Sequence, residues 1–226
     1  ISGLVGSEMC IRDRNRSIEC SNVLAFIEGS TYPDEVLIIT AHLDHIGIEN
    51  DGQVNNGADD DGSGSVAILE IAEAFQKAVK DNNRPKRSVL FLHVTAEEKG
   101  LLGSKYYTDN PVYPLENTIA NLNIDMIGRI DNLHLDNPNY LYLIGSDILS
   151  QDLHDVSAAM NEKYINLNLD YRYNDPTTEV LERGRLIQNR YYYRSDHYNF
   201  AKNNIPVIFY FNGTHADYHA PTDTLE

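Results

Sequence analysis

A chain of 226 residues with 42% hydrophobic content is long enough to bury one sizeable core, and α/β domains of this length commonly stay single. Its 34 acidic against 18 basic side chains leave a formal charge of −16, with no basic stripe to track phosphate oxygens, which argues against nucleic acid as a partner. No apolar run approaches the ~20 residues of a membrane-spanning helix, and two cysteines, Cys10 and Cys20, are too few for a disulfide framework.

Residues 1–14 show neither the charged start and apolar centre of a signal peptide nor clean periodicity. Glu8-Met9-Cys10-Ile11-Arg12-Asp13-Arg14 resembles the translation of a transposon-end sequencing adapter. Residues 1–16 therefore read as a non-native or disordered leader, and 17–226 as a single domain. Val36-Leu37-Ile38-Ile39-Thr40-Ala41 is a β-branched run without polar alternation, as expected of a strand buried on both faces, and it ends at His42. After a loop rich in Gly, Asn and Asp, the helical spacing of Ile68, Ile71, Ala72, Phe75, Ala78 and Val79 predicts an amphipathic helix that stops before Asn82-Asn83-Arg84-Pro85.

A second buried strand over 88–95 runs into Glu97 and Glu98, ahead of a helix over 101–107. A third over 119–124 delivers Asp125; 140–144 and 206–211 read as further strands and 151–163 as a helix. Residues 166–190 are polar and read as a long active-site loop. The chain ends just after the turn-like Pro221-Thr222-Asp223-Thr224, where a further helix would be natural, so truncation at the C-terminus is expected. Strands alternating with helices predict an α/β fold: a mostly parallel mixed sheet with helices on both faces.

Five candidate ligands gather in this scheme. His42, Glu98, Asp125 and His219 lie beyond the C-terminal ends of predicted strands, where open α/β sheets place their crevice, and Asp60 lies in a loop leading to a helix. Each motif alone has a plain structural reading. His42-Leu43-Asp44 suits a hydrogen-bonded loop histidine, Asp59-Asp60-Asp61-Gly62 an acidic turn, Glu97-Glu98 a solvated pair and Asp125 a turn former. The combination, in this order and at one sheet edge, points to a metal site. Its nitrogen and carboxylate donors suit zinc, with manganese or cobalt as other occupants.

The same residues carry a resemblance. Ala41-His42-Leu43-Asp44, Asn56-Gly57-Ala58-Asp59-Asp60-Asp61-Gly62-Ser63-Gly64, Thr95-Ala96-Glu97-Glu98-Lys99-Gly100-Leu101-Leu102-Gly103-Ser104, Asn123-Ile124-Asp125-Met126 and Tyr218-His219 with Pro221-Thr222-Asp223-Thr224 together resemble the M28 family of co-catalytic zinc aminopeptidases, from about residue 34 onward. The resemblance implies the three-layer sandwich of zinc exopeptidases and two zinc ions. Asp60 would bridge them, His42 and Asp125 would complete one site, and Glu98 and His219 the other. Glu97 would be the general base acting on the metal-bridging water, and a cis peptide would join Asp60 to Asp61.

Asp44 would accept the second N–H of His42. Asp44, Asp61 and Asp196 would thus support the ligands from behind; Asp196 and His197 could equally face substrate, or Ser195 or Asp196 could cap a helix. Tyr192, at the family's offset from Ser195, would help hold the oxyanion, the alternative being packing within Tyr191-Tyr192-Tyr193. Peptide or protein N-termini are the implied substrate, acted on by a monomer that is secreted or periplasmic. Two alternatives stay open at this point: a single-zinc glutaminyl-cyclase-like enzyme, and a non-catalytic peptidase-like binding module.

Overall fold

The structure, a computed structural model, describes residues 5–13, 16–175, 177–182 and 185–225. Its elements in chain order are β1 (Val5–Asp13), β2 (Arg16–Ile27), β3 (Tyr32–His42), α1 (Gly62–Lys80), β4 (Arg87–Val94), α2 (Leu102–Asp109), β5 (Thr118–Ile124), β6 (Tyr140–Ile144), α3 (Gln151–Tyr164), β7 (Asn168–Asp170), β8 (Glu179–Glu182), β9 (Arg185–Gln188), α4 (His197–Ala201) and β10 (Val207–Phe211). Eight strands form one sheet in the order β1-β2-β4-β3-β5-β10-β6-β7, and β8 and β9 form a separate hairpin.

The sheet's centre is parallel: β3 pairs in parallel with β4 and β5, and β5 with β10. Strand β2 joins β4, and β6 joins β10, in antiparallel fashion. The run from residue 36 to 41 lacks polar alternation because both faces of β3 are covered. On one face Val36 and Ile38 of β3, with Leu90, Leu92 and Val94 of β4, meet Tyr107 of α2 and Phe200 of α4. On the other, Ile39, Ala41, Val89 and Phe91 meet Ile68, Ile71, Phe75 and Val79 of α1. The predicted helices and mostly parallel sheet are thus present, with helices on both faces. Ile68 is fully buried, so truncating it to alanine costs about 2–5 kcal/mol.

Two regions differ from the sequence expectation. Residues 166–190 do not form one long loop: they hold β7, a 3-10 turn at Arg172–Asn174 and the β8–β9 hairpin. These strands are too short and polar to show a period. Strand β2 is likewise not anticipated, because its buried position 22 is an asparagine rather than an apolar residue. Val5–Asp13, within the stretch read as a leader, pairs with β2 as the edge strand, and residues 1–4 and 14–15 lie outside the described residues.

Candidate metal centre

The parallel strands β3, β4, β5 and β10 deliver their carboxyl ends to one edge of the sheet. His42 is the last residue of β3, Glu97 and Glu98 follow β4, Asp125 follows β5, and His219 lies in the loop after β10. Between β3 and α1, the Asp60–Asp61 peptide is cis, and Asp60 sits in the middle of the cluster.

Its two carboxylate oxygens face different neighbours. Asp60 Oδ1 lies 3.2 Å from His42 Nε2, which is also 3.7 Å from Asp125 Oδ1. Asp60 Oδ2 lies 3.1 Å from His219 Nε2, which is 3.4 Å from Glu98 Oε1. The five sequence-predicted ligands therefore come together as two groups sharing one carboxylate. Asp60 Oδ2 and Glu98 Oε1 are buried without an aligned hydrogen-bond donor. Acceptor oxygens left so are costly, and a cation between them would satisfy both. Imidazole and carboxylate donors of this kind suit zinc.

A further histidine belongs to the cluster. His45 Nδ1 lies 3.1 Å from Glu98 Oε1 and 3.9 Å from Asp60 Oδ2. Sequence reasoning missed it, although it directly follows Asp44 in the His42-Leu43-Asp44 motif.

Buried acids hold the ligand loops. Asp61 caps α1 by accepting from Gly64 N at 3.0 Å, and it also accepts from His42 N at 3.0 Å and Met126 N at 3.1 Å, so it ties three ligand-bearing segments together. Asp223, fully buried, accepts from the main-chain N–H groups of Asp59 at 3.1 Å and Asp60 at 3.2 Å. Its role was not assigned from the sequence. Asn22 of β2 donates to Gly103 O at 2.9 Å and accepts from Thr95 N at 3.1 Å, bracing the loop that carries Glu97 and Glu98.

Two expectations for supporting residues need correction, and a third residue takes on a supporting contact. His42 Nδ1 meets the main-chain oxygen of Asp44 at 2.8 Å, while the Asp44 carboxylate stays 3.9 Å away. That carboxylate instead accepts from Glu97 N at 3.0 Å and Glu98 N at 3.3 Å. Asp196 is bonded to the Ser104 hydroxyl and makes no side-chain cap on α4. Ser195 is the residue that supports a ligand, donating to Asp125 Oδ2 at 2.6 Å and accepting from Asn123 Nδ2 at 2.8 Å.

Tyr192 turns away from the cluster: its ring lies against Gly145, where an added Cβ would come within 2.5 Å, and 5.6 Å from the His197 ring. Tyr191 and Tyr218, with Arg194, line the cleft beside Asp60, Glu97 and Asp125. Arg194 Nη2 donates to the Tyr218 hydroxyl at 3.2 Å.

Burial is the largest single influence on Asp60 and Glu98 and opposes their charge, but the histidines together outweigh it, His219 and His42 at Asp60 and His219 and His45 at Glu98. Asp60 is held well below the usual carboxylate range and Glu98 at about 2. Burial likewise pulls against the imidazolium of His219, yet Asp60 and Glu98 lift it to about 9. Glu97 behaves differently. Burial pushes it well above the ordinary value, with His42 opposing and Asp196, Asp125 and Glu98 adding to the rise. The site thus sets the charged Asp60 and Glu98 apart from Glu97, which takes up a proton readily, as burial also makes Asp61 and Asp196 do.

Fold and site together define an α/β protein with a candidate metal centre at the C-terminal edge of its sheet, in which two groups of donors share one carboxylate. Residues 22–226 match the model of Peptidase family M28, and the chain belongs to that family. Leupeptin-inactivating enzyme 1 of Streptomyces exfoliatus is 32% identical over 187 residues, which cover 82% of this chain and 34% of that protein. Aminopeptidase NAALADL1 of Mus musculus is 36% identical over 126 residues, covering 54% of this chain and 16% of that protein. The chain matches only 16% to 34% of the length of these two relatives. Among solved structures, a zinc aminopeptidase from Bacillus subtilis superposes with a TM-score of 0.67 at 24% identity, over 91% of this chain and 44% of that one. A leucine aminopeptidase precursor from Bacteroides thetaiotaomicron gives 0.67 at 19% identity, over 99% and 76%. At such identities the likeness concerns the fold.

Proposed function

We propose that this chain is the catalytic part of a two-zinc aminopeptidase that hydrolyses N-terminal peptide bonds. The observation that carries this reading is the division of the Asp60 carboxylate between the His42–Asp125 group and the His219–Glu98 group. Asp60 would bridge the two ions, His42 and Asp125 would complete one site, and Glu98 and His219 the other. When bound, such an ion pair polarises a carbonyl and makes water a nucleophile near neutral pH.

The chain's own residues do the rest. Glu97 lines the cleft next to Asp60 and Asp125, where it can take the proton of the attacking water and pass it to the leaving amine. Asp44 fixes the main chain of Glu97 and Glu98 so that one side chain serves the metal side and the other the substrate.

The test is E97Q. Turnover of aminoacyl-nitroanilides is expected to fall at least about 100-fold, the lower range for a lost general base, with zinc content unchanged. Near-normal turnover would refute the role of Glu97. Hydrolysis of peptides with blocked but not free N-termini would refute the aminopeptidase reading.

A further inference from the structure

His45 is placed as a donor without a task. Its side chain is 10% exposed, and neither ring nitrogen has an aligned hydrogen-bond partner, the 3.1 Å approach of Nδ1 to Glu98 Oε1 included. A buried imidazole left so is destabilising, so the position calls for a partner. The ring is well defined: Gly57, at φ +66, passes so close that an added Cβ would lie 2.6 Å from His45 Cγ. Its Nδ1 faces the same two oxygens that His219 faces, Glu98 Oε1 at 3.1 Å and Asp60 Oδ2 at 3.9 Å, against 3.4 Å and 3.1 Å from His219 Nε2. Donor atoms bound at about 2.0–2.2 Å to one zinc lie roughly 3–3.6 Å from their neighbours, which three of these four separations match, while the 3.9 Å from His45 Nδ1 to Asp60 Oδ2 is slightly longer. His45 Nδ1, Asp60 and Glu98 also satisfy the spacing of a metal-holding group on their own.

We propose that His45 is a sixth protein ligand of the metal pair, coordinating through Nδ1 the ion held by Asp60, Glu98 and His219. This rests on the two-zinc reading above and deepens it. One ion would then have four protein donors and the other, at His42 and Asp125, three. A full set of four is the signature of a closed site, so the open coordination position falls mainly to the His42–Asp125 side.

The test uses the intact chain and zinc alone. In the ring-nitrogen correlation spectrum of the zinc-loaded wild type, His45 Nδ1 is expected at the metal-bound position together with one nitrogen each of His42 and His219. In H45A, chelator competition is expected to weaken one of two zinc equivalents by more than about 100-fold, beyond the 10–100-fold typical of residues that only support a ligand. A His45 ring with free or hydrogen-bonded nitrogens in the zinc-loaded protein would overturn the proposal, whatever H45A does. If the wild type itself binds no zinc, the two-zinc reading falls. If the wild type binds two and His45 stays unbound, only the present inference falls.

Discussion

The Asp44 carboxylate accepts the main-chain N–H of Glu97, the proposed proton carrier, at 3.0 Å, while the main-chain oxygen of the same residue meets His42 Nδ1 at 2.8 Å. Replacing Asp44 by asparagine leaves one acceptor oxygen for two N–H groups and turns an amide nitrogen toward the other. D44N is expected to lower kcat about 10–100-fold, the range for residues that position a metal site, with most zinc retained. Unchanged kinetics would contradict this role.

Tyr192 supplies a contrast. Its ring packs against Gly145 and His197 rather than lining the cleft. Y192F should keep kcat/KM within about twofold, well short of the 100-fold or more expected when an oxyanion donor is lost. Y192A removes the packed ring and is expected to cost about 3–5 kcal/mol at most, half-burial placing it toward the lower end. Denaturant melts and steady-state kinetics measure the two effects separately.

His197 is fully buried, stacked on Phe209 at 4.8 Å, and burial pulls its pKa down from 6.5 to about 3. A folded value below the unfolded one means the contribution is intact above 6.5 and is lost as pH falls toward 3. The slope this adds is at most about 1.4 kcal/mol per pH unit. H197F should flatten the acid limb of stability between those pH values, and an unaltered limb would show that His197 is not the group responsible.

His219 shows the opposite sign. Without metal its folded value of about 9 exceeds 6.5, so its stabilisation is present below 6.5 and fades as pH rises through 9. Zinc must displace that proton. Apparent zinc affinity should therefore fall about tenfold per pH unit for each proton displaced as pH drops below 9. Chelated protein should lose stability across 6.5–9 where zinc-loaded protein does not. Thermal melts with and without chelator check both statements, and a pH-independent zinc affinity would refute the first.

The clustering of the candidate ligands was legible in the sequence because apolar runs end at them: β3 stops on His42 and β5 stops just before Asp125. What was not legible depends on local geometry that a spacing rule does not encode. Which atom of Asp44 meets His42 is decided by the turn between them, and it is the carbonyl rather than the carboxylate. Tyr191–Tyr193 form a 3-10 turn, whose three side chains point in three directions, so the offset that singled out Tyr192 chose the wrong one and Tyr191 faces the cleft. His45 was hidden because its partners, Glu98 and Asp60, come from distant loops.

The proposed bridging role of Asp60 is tested most directly by counting zinc. Purified protein, dialysed against a trace of zinc, is expected to hold two equivalents per chain, and D60N to lose both under the same conditions because each group of donors depends on that one carboxylate. A single equivalent in the wild type, or two equivalents retained in D60N, would contradict a shared-carboxylate pair.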